Sequence, residues 1–177
     1  IPRAVELKAR RVGGTTLFEI LGMARAMTIK NFSCALIAQN DPEAGHFMKM
    51  WKTLYDNMIP EARLPDGRVF TARPPVDEFS DHMIRFPSLD SRLVIGSAGS
   101  MKFGRGRGFD MIIGTEVSKW DVGRPAGTAQ EVWLMAEGAL NPGGFGVLES
   151  TAFGAGGYFY EVYQEAKAGS NGWKAVF

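Results

Sequence analysis

The chain alternates short apolar runs with longer stretches in which apolar residues recur every three or four positions. AVELKA (4–9) has the length and content of a short strand and runs straight into glycines. TTLFEILGMARAM (15–27) places Leu17, Ile20, Leu21, Ala24 and Met27 at helical spacing, which predicts an amphipathic helix with that face turned inward. FSCALIAQ (32–39) is a continuous apolar run of strand length, the pattern of a strand covered on both faces. Asp41-Pro42-Glu43 then reads as a helix start: a capping side chain, a proline in the first turn and an acid at the positive end of the dipole. The helix is expected to reach about Met58, with Phe47, Trp51, Leu54, Tyr55 and Met58 on one face as core residues.

Between 59 and 81 the periodicity weakens and proline and charge accumulate, which predicts a small irregular insertion with a turn at Pro65-Asp66-Gly67. HMIRF (82–86), RLVIGSA (92–98) and FDMIIGTE (109–116) read as strands, with the glycine-rich basic loop GSMKFGRGRG (99–108) before the last. AGTAQEVWLMAEGAL (126–140) reads as a helix, Asn141-Pro142-Gly143-Gly144 as a turn and FGVLEST (145–151) as a strand. YFYEVYQEAKAG (158–169) follows as a helix stopped by Gly169. Strands alternating with helices predict an α/β domain with a mainly parallel central sheet. Ligands in such sheets bind where loops leave the carboxyl ends of strands.

The bulk numbers narrow the picture only a little. A length of 177 residues fits about one domain with a sizeable core. With 45% hydrophobic and 22% charged residues, the composition is that of a globular protein, and a formal charge of +1 argues against a dedicated polycationic DNA-binding module. The single cysteine, Cys34, lies inside an apolar run, so no disulfide can form within the chain; a small buried hydrophobe in a reducing compartment is expected. His46 and His82 stand apart and make no zinc-ligand set with it.

Three strand ends carry chemistry. KARRVGGTT (8–16) has the glycines of a phosphate loop and hydroxyls where the helix opens, but Gly14 occupies the place of the usual lysine. Phosphates need inward backbone N–H groups, a helix N-terminus, a cation and a hydroxyl for Mg²⁺. Gly13 and Gly14 permit the turn, Thr15 and Thr16 open the helix, and the cation must come from Lys8, Arg10 or Arg11. MIIGTE ends an apolar strand on Glu116, a candidate for positioning and activating water, with Thr115 where a metal-associated acid is usual. Asp110 lies at the far end of that strand, roughly 17 Å away in extended chain. LESTAFG ends a strand on Ser150 and Thr151, which can bond a γ-phosphate or its water.

In order and spacing these segments resemble the ATPase domain of the large terminase subunit, the DNA-packaging motor of tailed bacteriophages. KARRVGGTT is similar to that family's deviant Walker A motif, with lysine at the start of the loop. RG (107–108), the apolar strand and TEVSKW are similar to its Walker B region. LESTAFG followed by YFYEVYQEAKAG resembles its coupling motif and the helix after it.

The resemblance implies a P-loop NTPase, RecA/ASCE-like, three-layer fold over residues 1–177 with ATP and Mg²⁺ as ligands. It makes Lys8, Ala9, Arg10, Arg11, Val12, Gly13, Gly14, Thr15 and Thr16 the nucleotide loop, with Lys8 on the β- and γ-phosphates. Thr15 ligates Mg²⁺, and Thr115 is associated with it through water. Glu116 is the catalytic carboxylate, and Arg11 or Arg10, with Arg11 preferred, stabilises transition-state charge. Ser150, Thr151 and Gly154 couple hydrolysis to movement. Expected partners are double-stranded viral DNA, a portal protein, a small terminase subunit and further copies in a ring, in the host cytoplasm and with no membrane. The family's upstream adenine-contacting segment and downstream nuclease domain are expected to lie outside this stretch, so no nuclease activity is expected of it. A helicase-like P-loop motor and a non-hydrolysing nucleotide- or DNA-binding module are the alternatives; Lys8 argues against the first, and Thr115 is the feature that favours the second.

Overall fold

The computed structural model describes residues 2–100, 108–122 and 128–177. The basic-loop residues Lys102, Arg105 and Arg107 fall outside the described residues. The chain begins β1 (Arg3–Lys8), α1 (Gly14–Thr28), β2 (Ser33–Ala38) and α2 (Asp41–Asp56). Short strands β3 (Glu61–Arg63), β4 (Val69–Thr71), β5 (Glu78–Phe79) and β6 (Met83–Phe86) follow, then β7 (Ser91–Ser97) and β8 (Phe109–Thr115). It closes with α3 (Thr128–Glu137), β9 (Leu140–Thr151), α4 (Tyr158–Ala168) and β10 (Lys174–Val176).

Eight strands form one sheet in the order β10-β1-β9-β8-β2-β7-β6-β5, parallel from β10 through β7 and antiparallel only at the β6 and β5 edge. Helices cover both faces. Met23 and Ala26 of α1 and Phe47, Met48 and Trp51 of α2 pack on Leu36, Met111, Ile113 and Val147. Val132 and Trp133 of α3 and Phe159 and Val162 of α4 pack on Ile37, Ile112 and Leu148. Successive residues of one strand thus serve opposite layers, as the period of two requires. All six residues of β2 are buried, as its unbroken apolar run predicts. Cys34 is buried, and burial pushes its thiol pKa up.

Several elements differ from the sequence expectation. Leu17 and Ile20, expected in the core, are 62% and 47% exposed, and the buried face of α1 is Gly14, Glu19, Gly22, Met23 and Ala26. The rotation follows from close approach to β2: a Cβ on Gly22 would lie 2.9 Å from Cys34 Sγ. The cap of α2 is Asn40, whose side chain accepts from the Glu43 amide at 3.0 Å, so Asp41 is the first helical residue. That helix ends at Asp56, short of Met58. Asn141-Pro142-Gly143-Gly144 is no hairpin turn but the irregular opening of β9, where pairing with β8 slips between Phe109 and Met111. Leu140, assigned to the preceding helix by periodicity, already belongs to this strand. Pro65-Asp66-Gly67 does turn, joining β3 to β4.

Candidate nucleotide site

The strand order places β9 between β1 and β8, so the three loaded strand ends emerge side by side. From Lys8 the chain passes through an exposed loop, in which Arg11 (φ 61°) and Gly13 (φ 86°) adopt the left-handed conformation, and enters α1 at Gly14. No side chain caps that N-terminus and no acid lies in its first turn. A helix start left in that way offers free amides and the positive end of the dipole, an arrangement suited to phosphate. The cavity holds about 640 Å³ and is bordered by Lys8, Arg10, Arg11, Thr15, Glu116, Lys119 and Thr151. That is within the usual range for a nucleotide-sized ligand.

Lys8 is the hub. Its ammonium donates to Thr15 Oγ1 at 2.7 Å, pairs with Glu149 Oε2 at 2.7 Å and lies 3.7 Å from Glu116 Oε1. The geometry also shows why position 14 carries no side chain. A Cβ there would sit 2.7 Å from Glu6 Oε2 and 3.1 Å from Lys8 Cδ, so Glu6 and Lys8, both arriving from β1, already fill the space beside Gly14.

Glu116 follows β8 in the left-handed conformation (φ 52°), which carries its carboxylate out of the strand line. Thr151 Oγ1 donates to its Oε2 at 2.9 Å, and Lys119 Nζ pairs with the same oxygen at 2.7 Å. Partial burial pushes the Glu116 pKa up, but the hydrogen bonds from Lys119 and Thr151 and the charges of Lys119 and Lys8 outweigh it. The carboxyl is held below the ordinary value. It is ionised at neutral pH and fitted to orient a water more than to remove its proton unaided.

The other predicted residues divide by sheet face. Ser150 points away from Lys8: it is buried, its hydroxyl lies 2.7 Å from Ser118 Oγ, and it accepts from the Ser118 amide at 3.2 Å. Ser118 also donates to the Thr151 carbonyl at 3.0 Å, which ties the turn carrying Glu116 to the end of β9. Thr115 lies on the Lys8 side but is wholly buried, its hydroxyl without a partner, beneath the cavity and not on its border. Ala9 and Val12 are exposed in the loop, Thr16 lies in the first turn of α1, and Gly154 (φ 78°) turns the exposed segment after β9. Asp110 is at the opposite end of the sheet, accepting from the Ser33 amide and from Asn141 Nδ2, both at 2.8 Å.

Sequence reasoning passed over three acids, of which Glu149 and Glu19 are buried and Glu6 is half-buried. Glu149 stands between Glu6 and Thr115 in register, all three on one face, and accepts from Thr15 Oγ1 at 2.9 Å. Glu19 reaches the same region from α1 with both carboxylate oxygens unpartnered. Burial, and next the charge of Glu149, push Glu19 up to about 8, and the same two causes raise Glu6 against the opposing charge of Lys8. The available signal was Glu149 itself, an acid inside an otherwise apolar strand immediately before Ser150.

The donors fit a magnesium nucleotide. Thr15 offers a hydroxyl at the helix start with a carboxylate behind it, both hard oxygen donors. Among the described residues no cluster of three His, Cys, Asp or Glu side chains could hold a metal alone.

No known family profile matches the chain, and no curated protein matches it in sequence. Solved structures similar to it include two phage proteins. The crystal structure of the HK97 bacteriophage large terminase shares 14% identity at a TM-score of 0.68, over 98% of this chain and 34% of that one. A mutant of the Thermus phage P74-26 large terminase ATPase domain shares 14% identity at a TM-score of 0.49, over 91% and 64%. This chain spans about a third of the HK97 protein's length. No helix among the described residues is long and apolar enough to cross a membrane. The mainly parallel sheet between two helical layers, and its likeness to the HK97 large terminase over nearly the whole chain, establish that this chain has the P-loop NTPase fold.

Proposed function

We propose that this chain hydrolyses ATP with Mg²⁺ and is the motor domain of a large terminase, driving double-stranded viral DNA into a procapsid. The observation that carries the reading is the meeting of Lys8, Thr15 and Glu116 at the open N-terminus of α1, the first two from the β1–α1 stretch and Glu116 from the end of β8, two strands away in the sheet. In this reading the amides of residues 9–14 and Lys8 bind the β- and γ-phosphates, and the hydroxyl of Thr15 ligates the metal, which supplies charge neutralisation on the phosphates. Glu116 orients the attacking water, and Arg11, with Arg10 as the other loop cation, stabilises charge developing on the γ-phosphate.

Coupling runs through β9. Thr151 touches Glu116, Ser150 holds the turn that carries Glu116 through Ser118, and Gly154 lies in the segment leading to α4. Loss of the γ-phosphate, felt at Glu116, would be passed to that segment and onward to DNA. The partners this role implies are a portal protein, a small terminase subunit and further copies of the chain in a ring, in the host cytoplasm.

The test is a single-turnover ATP assay on the protein, Lys8→Ala and Glu116→Gln, with and without double-stranded DNA. The expected outcome is hydrolysis by the unaltered protein and its loss in both variants, with nucleotide still bound by Glu116→Gln. Nucleotide or DNA binding without hydrolysis in the unaltered protein would instead establish the non-hydrolysing module. Translocation that unwinds strands would establish the helicase-like motor.

A further inference from the structure

We propose that Glu149 on β9, in place of an acid at position 115, supplies the carboxylate that holds the nucleotide's divalent cation; the proposal rests on the ATPase reading above. Thr115 and Glu149 are cross-strand partners on the same sheet face, so placing the acid on β9 moves it one strand spacing nearer β1. That shift brings it to Thr15: the Thr15 hydroxyl donates to Glu149 Oε1 at 2.9 Å, while the Thr115 hydroxyl has no hydrogen-bond partner. A hydroxyl whose proton is directed to a carboxylate keeps its lone pairs for a cation, and the ammonium of Lys8 now takes one of them at 2.7 Å.

Charge gives the second argument. Glu149 is fully buried, and Lys8 is the cation beside it, at 2.7 Å. A carboxylate so placed cannot be left without a positive partner. If Lys8 turns to the phosphates, another cation must take its place between Thr15 and Glu149, and a divalent ion on Thr15 is in position to do so. The Lys8 ammonium therefore marks, in this structure, the place of the metal.

The experiment measures binding, not turnover. Affinity for a fluorescent non-hydrolysable ATP analogue is titrated on the 177-residue protein in EDTA and in Mn²⁺, with Mn²⁺ uptake followed by electron paramagnetic resonance. The unaltered protein is expected to bind the analogue more tightly with Mn²⁺. Glu149→Gln should reduce that Mn²⁺-dependent gain by about tenfold or more, the scale typical of lost metal-site support, while binding in EDTA stays equal or tightens because Lys8 is released. Thr115→Val should keep the full gain. Should Glu149→Gln fail to fold, Glu149→Asp retains the charge for Lys8 but withdraws it from Thr15, and a smaller loss of the gain is expected. An undiminished gain in the folded Glu149 variant, or its loss in Thr115→Val, overturns the proposal. Absence of analogue binding by the unaltered protein in both conditions would overturn the ATPase reading, and this proposal with it.

Discussion

Thr151 Oγ1 donates a 2.9 Å hydrogen bond to Glu116 Oε2, joining the last residue of β9 to the acid that follows β8. The bond orients a carboxylate whose backbone is already held in the left-handed conformation. Removing it in Thr151→Val should leave Glu116 free to rotate toward Lys119. A hydrogen bond to a charged group contributes about 1.5–3 kcal/mol, so kcat is expected to fall about 10- to 100-fold. Nucleotide affinity, which the proposed function assigns to β1 and α1, should change little. Steady-state kinetics that show a raised KM at constant kcat would contradict this assignment.

The proposed function gives Lys8 a role in turnover beside its ion pair with Glu149, and one substitution cannot separate the two. Lys8→Ala should abolish turnover, and it should also destabilise the fold by about 3 kcal/mol, the scale for breaking a buried ion pair, because Glu149 keeps no cation. Adding Glu149→Gln to Lys8→Ala should recover most of that stability in thermal melts but none of the turnover. Recovery of neither would mean that Lys8 and Glu149 are not coupled in solution as the 2.7 Å contact requires.

Position 14 tests whether the lysine has been relocated. Gly14→Ala would put a Cβ 2.7 Å from Glu6 Oε2 and 3.1 Å from Lys8 Cδ. Overpacking of this kind costs about 1–3 kcal/mol, and displacement of Lys8 should weaken nucleotide binding. Gly14→Lys in the Lys8→Ala background should not restore turnover, because the space beside the loop is shaped for a side chain arriving from β1. Restored hydrolysis would refute that explanation.

Two acids give opposite pH signatures. The Glu116 pKa is lowered in the folded protein, so its contribution to stability is present above the unfolded value and lost only as pH falls through the lowered one. Turnover should therefore show no Glu116 titration near neutrality. Glu19 is raised to about 8, so the folded protein holds a proton that the unfolded chain has released, and stability falls as pH rises between the ordinary value and about 8. The slope there approaches about 1.4 kcal/mol per pH unit for one proton. Glu19→Gln should flatten this decline in urea melts taken at pH 5 to 8. An unchanged slope would show that Glu19 is not the group responsible.

Much of the layout is legible from residue pattern. The alternation of strands and helices, the fully buried β2, the glycine turn into α1 and the acid ending β8 all follow from local periodicity and turn chemistry. Periodicity failed at α1, where Leu17 and Ile20 satisfy a helical stripe but Gly22 and Ala26 are the residues small enough to meet β2. It failed again at residues 141–144, where a turn-forming composition serves a strand irregularity.

By itself, the sequence determined that three strand ends carry a lysine with glycines, an acid, and paired hydroxyls, because each motif is built from neighbours along the chain. Only the tertiary structure decided which side chains meet. Inserting β9 between β1 and β8 sets Thr151 on Glu116 and Glu149 on Lys8, while the two-residue period of the strand turns Ser150 to the opposite layer. Those contacts join residues more than thirty and up to about 140 positions apart, and strand order, which no local pattern encodes, creates them.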